Sequence, residues 1–323
     1  MLAVYAAAQD RTDPLAGLMV GEQPEPSTRP GWSVVTLRTA GLNHHDLWSL
    51  QGVGLSGDRL PMILGCDGAG LDEQGREVIV HAVVASDGWR GDETLDPART
   101  LLSELHPGTL AERVAVPTLN LVPKPAGMSW ETAACLSTAW LTAYRMICVN
   151  AAITPGATVL VQGAGGGVST ALIQLGAAAG YRVWVTARDE VKGARAVDLG
   201  AERVFESGER LPERVDAVME TVGAATWSHS VNSLKPGGTI VISGATSGDA
   251  PAKAELTKIF FKQLRVVGST MGSRAELERL AQFVDQRGIE PAVDVVLPLV
   301  DARAGFERMA RGELFGKVVF SVT

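Results

Sequence analysis

Two patterns of hydrophobic and polar residues divide the chain near residue 124. Before it, short β-branched runs separated by glycine, proline and acidic clusters cover Trp32–Leu37, Val78–Val84 and Arg113–Val116. Runs of this kind predict short strands that end in turns. The segment Pro123–Lys124–Pro125 is the predicted hinge, because closely spaced prolines interrupt regular structure.

Beyond the hinge, apolar strands alternate with helical segments. The predicted strands are Thr158–Gln162, Arg182–Thr186, Val215–Met219, Thr239–Ser243 and Leu264–Val267. Helices are predicted over Val168–Ala179 and over Asp189–Leu199, where Asp189 is placed as the N-cap and Gly200 ends the helix. Apolar strands joined by helices are typical of a parallel sheet covered on both faces. Only nine residues separate Phe205 from Val215, so this crossover is predicted to lack a full helix.

The last part of the chain, residues 291–323, returns to β character. We expect it to rejoin the first domain and make that domain discontinuous. The predicted division is residues 1–124 with 291–323 against residues 125–290. The predicted fold class is α/β, with a doubly wound parallel sheet of the Rossmann type in the second domain.

Charge and cysteine content narrow the class of protein. The net charge is −7, from 29 basic and 36 acidic residues, which disfavours binding to nucleic acid. Three cysteines in 323 residues do not make a disulfide framework and are typical of a reducing compartment. The apolar start lacks the basic lead of a signal peptide, and the most apolar window is too polar to span a membrane. We expect a soluble, cytoplasmic protein.

A glycine-rich segment follows the first strand of the second domain. It comprises Gly163, Ala164, Gly165, Gly166, Gly167 and Val168. Glycine permits a tight turn between strand and helix and lets backbone N–H groups approach a pyrophosphate at the helix N-terminus. The segment therefore predicts a dinucleotide site, although a glycine-rich turn without a ligand is the alternative.

The end of the second strand indicates which dinucleotide binds. NAD sites usually have an acidic residue there for the ribose 2′-hydroxyl, but this chain has Thr186, Ala187 and Arg188, with Lys192 one turn further on. Asp189 is better explained as the helix cap. Cationic side chains suit a 2′-phosphate, so NADPH is the predicted cofactor, unless Arg188 is only a solvated surface residue.

Several blocks outside this site resemble one known family. They are residues 40–46 (AGLNHHD), 64–70 (LGCDGAG), 134–144 (ACLSTAWLTAY), 234–238 (LKPGG) and 315–319 (FGKVV). In this order they resemble the medium-chain dehydrogenase/reductases, with the quinone oxidoreductase and enoyl reductase branch most similar. The resemblance implies a GroES-like β-barrel domain beside the Rossmann domain. It also implies a homodimer that pairs edge strands of the Rossmann sheet near Leu264–Gly268.

The same resemblance implies that no metal is used. Zinc-dependent members bind the catalytic ion through Cys, His and Cys, where this chain has Asn43, Cys66 and Thr138. A catalytic zinc needs three protein ligands, and a four-cysteine structural zinc site is impossible with three cysteines.

Polar residues in the family blocks are the candidate site residues. Asn43 is the predicted donor to an oxyanion, or else a turn residue. Thr138 is predicted beside the nicotinamide, with a hydroxyl bonded to its own helix as the alternative. Lys317 either approaches the cofactor or lies on the surface. Further predicted cofactor contacts, unless they are plain strand-end turns or core positions, are Thr142, Gly244, Ala245, Thr246, Ser269 and Thr270.

These features together predict an NADPH-dependent oxidoreductase that transfers hydride to a quinone or an α,β-unsaturated carbonyl compound without a metal. Conjugated acceptors suit such an enzyme because they spread the developing charge, whereas an alkoxide usually needs a Lewis acid. One alternative is a zinc alcohol dehydrogenase with unusual ligands. Another is a non-catalytic NADPH-binding sensor. The sequence does not identify the physiological substrate.

Overall fold

The computed structural model describes residues 1–322 and contains two compact units. Unit 1 comprises Met1–Leu141 with Met271–Thr323, of which Thr323 lies outside the described residues, and unit 2 comprises Thr142–Thr270. Unit 1 is thus discontinuous, as the β character of the tail predicts.

Strands and helices follow one another along the whole described chain. The strands are β1 (Leu2–Ala6), β2 (Leu18–Glu22), β3 (Trp32–Gly41), β4 (Met62–Ile63), β5 (Asp67–Leu71), β6 (Glu77–Val80), β7 (Val83–Val84), β8 (Thr100–Leu101), β9 (Arg113–Pro117), β10 (Leu121–Pro123), β11 (Thr158–Val161), β12 (Arg182–Ala187), β13 (Arg203–Glu206), β14 (Val215–Glu220), β15 (Leu234–Ile242), β16 (Arg265–Gly268), β17 (Val293–Pro298) and β18 (Lys317–Ser321). The α-helices are α1 (His44–Leu50), α2 (Trp130–Ala133), α3 (Leu141–Tyr144), α4 (Gly167–Ala178), α5 (Glu190–Asp198), α6 (Trp227–Ser233), α7 (Leu256–Phe261), α8 (Arg274–Arg287) and α9 (Ala302–Ala310). Two π-helical segments, Leu136–Trp140 and Arg145–Asn150, flank α3.

Unit 2 is built on a six-stranded parallel sheet of order β13-β12-β11-β14-β15-β16. This is the strand order of a Rossmann fold, in which ligands bind at the carboxyl ends of the strands near the point where the order reverses. Buried Leu160, Trp184, Val218 and Ile240 form much of the core beneath it. The predicted α/β class is confirmed, and the link from β13 to β14 has no helix among its described residues.

Unit 1 consists mainly of antiparallel strands, and its largest sheet has the order β10-β6-β5-β3-β18-β17, with β9 also paired to β3. The tail strand β18 lies between β3 and β17, and Val319 pairs with Gly41. On the other side of β3, Gly41 pairs with Asp67 of β5. Three distant segments of the chain therefore meet at the end of β3, and each brings a polar residue to that point.

The boundaries between the units differ from the predicted ones at residues 124 and 290. Unit 1 also contains residues 125–141 and helix α8. Helix α8 packs against β10 and against Leu136–Trp140, and the Arg274 N–H donates to Glu93 Oε1 at 2.8 Å. These contacts join distant parts of the chain, which explains why the change in pattern at residue 124 does not mark the boundary.

The most apolar stretch of the sequence, around residues 133–153, forms α2, α3 and the two π-helical segments. Trp140, Leu141 and Met146 within it are completely buried. Among residues 1–322, no helix has both the length and the apolar character needed to cross a bilayer.

Candidate active site

The glycine turn of unit 2 has the conformation that the sequence predicts. Gly163 has φ +84°, in the left-handed region that favours glycine, and Gly166 is the N-cap of the twelve-residue helix α4. Its cap position has no side-chain hydrogen bond among the described residues. The first N–H groups of α4 therefore retain hydrogen-bonding capacity for an anion such as a pyrophosphate.

A chain of buried hydrogen bonds supports this turn. The Gly163 N–H donates to Thr186 Oγ1 at 3.0 Å, and the Thr186 hydroxyl donates to Gln162 Oε1 at 2.9 Å. Gln162 Nε2 then donates to Ser230 Oγ at 2.9 Å. Thr186 is only 2% exposed. Its hydroxyl therefore holds the turn in place, and a contact between Thr186 and the cofactor stays a prediction.

Glu220 completes this network at the end of β14 and was missed by sequence reasoning. Its carboxylate is completely buried and accepts hydrogen bonds from the Val222 N–H at 2.8 Å, the Gly223 N–H at 3.0 Å and the Ser230 hydroxyl at 2.6 Å. The one available signal was an acidic residue directly after a buried apolar run. The network joins the ends of β11, β12 and β14 and so rigidifies the candidate cofactor edge.

The residues after β12 are arranged as the NADPH prediction requires. Arg188 follows the last residue of the strand and is exposed, with no ion pair or hydrogen bond among the described residues. Asp189 Oδ1 accepts a hydrogen bond from the Lys192 N–H at 2.8 Å, which is the predicted helix cap. A cation rather than an acid is therefore presented at this strand end.

Two further loops lie at the same edge of the unit 2 sheet. Gly244 is half-buried, while Ala245 and Thr246 are exposed after β15. Ser269 follows β16, and its N–H donates to Ile242 O at 2.8 Å, whereas its hydroxyl is buried without a partner among residues 1–322. Thr270 is exposed, and Thr142 is buried on α3. Their contacts with a cofactor remain predictions.

A buried ammonium occupies the polar centre of unit 1. Lys317 is 2% exposed, and its Nζ donates at 2.7 Å to each of three oxygens: Leu42 O, Asn43 Oδ1 and Asp67 Oδ2. Three donors are all that an ammonium has, so none remains for a ligand. The surface alternative for Lys317 is therefore wrong, while its approach to a cofactor stays a prediction that these three hydrogen bonds disfavour.

The side chain of Asn43 is committed to the same cluster. Besides accepting from Lys317, it donates through Nδ2 to Asp67 Oδ2 at 2.9 Å, and Nδ2 lies 3.5 Å from Gly41 O. Asn43 is 7% exposed. The predicted oxyanion donor is thus engaged within the protein, and Asn43 is placed to hold its neighbours.

A second buried carboxylate fixes the loop around Asn43. Asp46 Oδ2 accepts the Asn43 N–H at 2.9 Å, and Oδ1 accepts the Gly65 N–H at 2.8 Å. Complete burial raises the pKa of Asp46 to about 7, although the two N–H groups and Lys317 lower it. The carboxyl group therefore joins the start of α1 to the segment before β5.

Thr138 contributes a buried hydroxyl without a partner among residues 1–322 to unit 1. It lies in the π-helical segment Leu136–Trp140, which packs against β5 and β6. Its hydroxyl is buried and has no hydrogen-bond partner among residues 1–322, so it is not bonded to its own helix. Short π-helical segments recur at functional sites, and an unsatisfied buried hydroxyl requires an explanation such as a ligand.

The residues at the three family ligand positions do not fit a catalytic zinc. Asn43 already accepts from an ammonium, and a divalent ion beside it would be strongly repelled. Cys66 is 1% exposed, and its Sγ donates to Leu102 O at 3.2 Å, so this thiol is already bonded within unit 1. Within residues 1–322, no three His, Cys, Asp or Glu side chains are arranged to hold a metal ion.

Comparisons with known proteins cover the whole chain. Residues 167–286 match the family model described as zinc-binding dehydrogenase. A solved structure of an NAD-dependent alcohol dehydrogenase is 34% identical, with all of both chains covered and a TM-score of 0.92.

Two curated relatives have lower identity. The acryloyl-coenzyme A reductase of Metallosphaera sedula is 28% identical over 94% of this chain and 96% of its own. The zinc-type alcohol dehydrogenase-like protein YogA of Leptosphaeria maculans is 29% identical over 92% of each chain. With the Rossmann strand order and the family blocks in place, the chain belongs to the medium-chain dehydrogenase/reductase superfamily.

Proposed function

We propose that this protein is an NADPH-dependent reductase of conjugated carbonyl compounds or quinones that works without a metal. The observation that carries the proposal is the ammonium of Lys317, held at 2.7 Å from Asn43 Oδ1 at a family zinc-ligand position. A protein with this arrangement must stabilise negative charge by hydrogen bonds instead of a Lewis acid. Acceptors that spread the charge over a conjugated system meet that requirement.

Unit 2 offers the groups that would hold the cofactor. The uncapped start of α4 suits the pyrophosphate, and Arg188 suits a 2′-phosphate through charge-assisted hydrogen bonds. Bound NADPH supplies the hydride. The network of Thr186, Gln162 and Glu220 keeps the turn rigid, so little ordering is needed when the cofactor binds.

Unit 1 offers the hydrogen-bond donor for the acceptor. We assign to Thr138 the role that the sequence predicts for Asn43, because the Thr138 hydroxyl is buried and unused by other residues of the described chain. It would donate to the carbonyl oxygen on which charge develops. Asn43 and Lys317 then act as positioning residues, since their polar atoms bond to one another and to Asp67.

Similarity to the Metallosphaera sedula protein, whose name describes reduction of an acryloyl thioester, favours an activated double bond. Other relatives bear alcohol dehydrogenase names, including one described as NAD-dependent. The acceptor and the cofactor of a relative do not establish those of this chain. The test therefore varies both.

The test measures how fast metal-stripped protein oxidises NADPH and NADH. The loss of absorbance of the reduced nicotinamide gives the rate. Enones, enoyl thioesters, 1,4-quinones and saturated aldehydes are supplied in parallel. We expect turnover with conjugated acceptors only, unchanged by a chelator and faster with NADPH. Turnover that needs added zinc, or that occurs only with saturated aldehydes, would refute the proposal in favour of an alcohol dehydrogenase. Tight NADPH binding without any turnover would instead support a non-catalytic sensor.

We also propose that two copies of the chain pair through the edge of the unit 2 sheet. Strand β16 is the terminal strand, and Val266 on it is 44% exposed. Phe260 and Phe261, just before it on α7, are 62% and 76% exposed. An uncovered strand edge next to exposed aromatic side chains favours association with a second strand.

Val266→Asp should convert a dimer into a monomer, because a buried carboxylate would face the partner strand across the new pairing. Size-exclusion chromatography with light scattering measures the mass of each species. Leu119→Asp is the matched control, since Leu119 is 79% exposed in unit 1 and should leave the dimer unchanged. A monomeric parent protein would refute pairing through β16.

A further inference from the structure

A histidine and a glutamate face each other near the polar centre of unit 1. His45 Nε2 lies 3.8 Å from Glu104 Oε1, and the two side chains are 15% and 24% exposed. His45 is the second residue of α1, two positions after Asn43. Glu104 belongs to the acidic segment of residues 86–107.

The two ring nitrogens of His45 have different surroundings. Nε2 is buried and has no hydrogen bond at normal length among the described residues, while it points toward Glu104. The exposed part of the side chain therefore belongs to the other ring atoms. Nδ1 likewise has no hydrogen-bond partner within residues 1–322. A carboxylate behind one ring nitrogen with the other nitrogen free is the arrangement that general acid–base histidines use.

The surrounding loops maintain this pairing. Gly54 has φ +82°, and a Cβ added there would lie 2.8 Å from Glu104 Oε1, so a side chain at this position would displace the glutamate. Ser103, the neighbour of Glu104, has φ +66°, and its hydroxyl lies 3.6 Å from Cys66 Sγ. Strained backbone of this kind persists only where the surrounding contacts enforce it. The loop is therefore anchored next to Cys66, one of the family ligand positions.

The charges around the pair are few. Burial lowers the pKa of His45 and Glu104 raises it, while burial raises the pKa of Glu104 and both His45 and Arg99 lower it. Lys317 acts on the neighbouring His44, whose pKa is lowered mainly by burial. On balance burial lowers the pKa of His45 and raises the pKa of Glu104, so the neutral form of each side chain is favoured.

We infer that His45 is the proton donor of the reduction and that Glu104 positions it and returns its proton from solvent. This inference rests on the proposed function. Bound NADPH would supply a hydride, which carries both electrons, to the β-carbon of the acceptor and would leave an enolate and NADP⁺. Neutral His45 then gives the proton on Nδ1 to the enolate, whose new C–H or O–H bond completes the product, while the protonated carboxyl group of Glu104 gives its proton to Nε2. Glu104 then takes a proton from water, and exchange with solvent returns a proton to Nδ1 of His45.

The experiment uses His45→Gln and Glu104→Gln in the full chain, with two acceptors. With an enone, loss of a general acid should lower the rate by about 10²–10⁴-fold in His45→Gln. With a nitroalkene, hydride addition gives a nitronate that is stable in water and has its own ultraviolet absorption. His45→Gln should therefore still oxidise NADPH but release the nitronate, whereas the parent protein releases the nitroalkane.

Two controls separate chemistry from folding. His106→Gln changes a half-buried histidine of the same loop that packs against Trp32, and it should release nitroalkane like the parent. NADPH affinity, measured by fluorescence, should be unchanged in all three variants. If His45→Gln does not fold, the test of the inference rests on Glu104→Gln. This variant should slow enone reduction by at least about tenfold, and with the nitroalkene it should release part of the product as nitronate.

Nitroalkane as the product of His45→Gln, formed at the parent rate, would overturn the assignment. So would an undiminished enone rate in both variants. Absence of NADPH oxidation by the parent with every conjugated acceptor is a different result, because it rejects the proposed function before His45 is tested.

Discussion

Lys317→Met should lower the free energy of unfolding by about 3–5 kcal/mol, the cost of leaving a buried charge without its partner. Methionine has a similar length but removes three hydrogen bonds of 2.7 Å from Leu42 O, Asn43 Oδ1 and Asp67 Oδ2. Asp67 is completely buried, and its Oδ1 already lacks a partner among residues 1–322. Urea unfolding followed by circular dichroism measures the loss.

Lys235→Met is the matched control for this effect. Lys235 Nζ lies 2.8 Å from Asp216 Oδ1, but the side chains are 45% and 31% exposed, so the loss should be at most about 1 kcal/mol. Adding Asp67→Asn to Lys317→Met should recover part of the stability, because the uncompensated carboxylate is then removed. Equal losses in the two lysine variants would show that Lys317 does not act as a buried, paired cation.

Arg188→Ala should reduce kcat/KM for NADPH by about 10–100-fold while leaving that for NADH nearly unchanged. The magnitude corresponds to one charge-assisted contact worth about 1.5–3 kcal/mol. Only NADPH has the 2′-phosphate that this exposed guanidinium would bind at the end of β12. Initial rates with each cofactor, at one acceptor concentration, measure the preference.

Arg195→Ala provides a control with the same change in net charge, because Arg195 is exposed on α5 two turns further along the chain. It should change neither rate by more than about twofold, since an exposed charge at this distance is largely screened. A parent protein that prefers NADH, or an equal loss for both cofactors in Arg188→Ala, would remove the basis for NADPH.

The local features of unit 2 were predictable from sequence because short-range rules govern them. Strands, the glycine turn and the Asp189 cap each depend on neighbouring residues, and the structure has them where the pattern places them. Thr186 shows where such rules end. Its position beside the turn is evident from the sequence, but the direction of its hydroxyl depends on Gln162 across the sheet.

The centre of unit 1 could not be derived in the same way. Asn43, Asp67 and Lys317 were each visible as polar residues in family blocks, yet 250 positions separate Asp67 from Lys317. Their contact follows from the pairing of β3 with both β5 and β18. Sequence pattern predicts strands far better than it predicts which strands become neighbours, so the buried ion pair emerged only from the structure.

The position of β18 between β3 and β17 has a consequence for biosynthesis. Unit 2 is one continuous stretch, so all of its strands leave the ribosome before the second part of unit 1 is made. The sheet of unit 1, in contrast, stays open at β3 until residues 317–321 emerge. During that interval Asp67 lacks the ammonium of Lys317. Translation therefore sets the order of assembly. Unit 2 can fold first, and unit 1, which contains Asn43 and His45, is completed last.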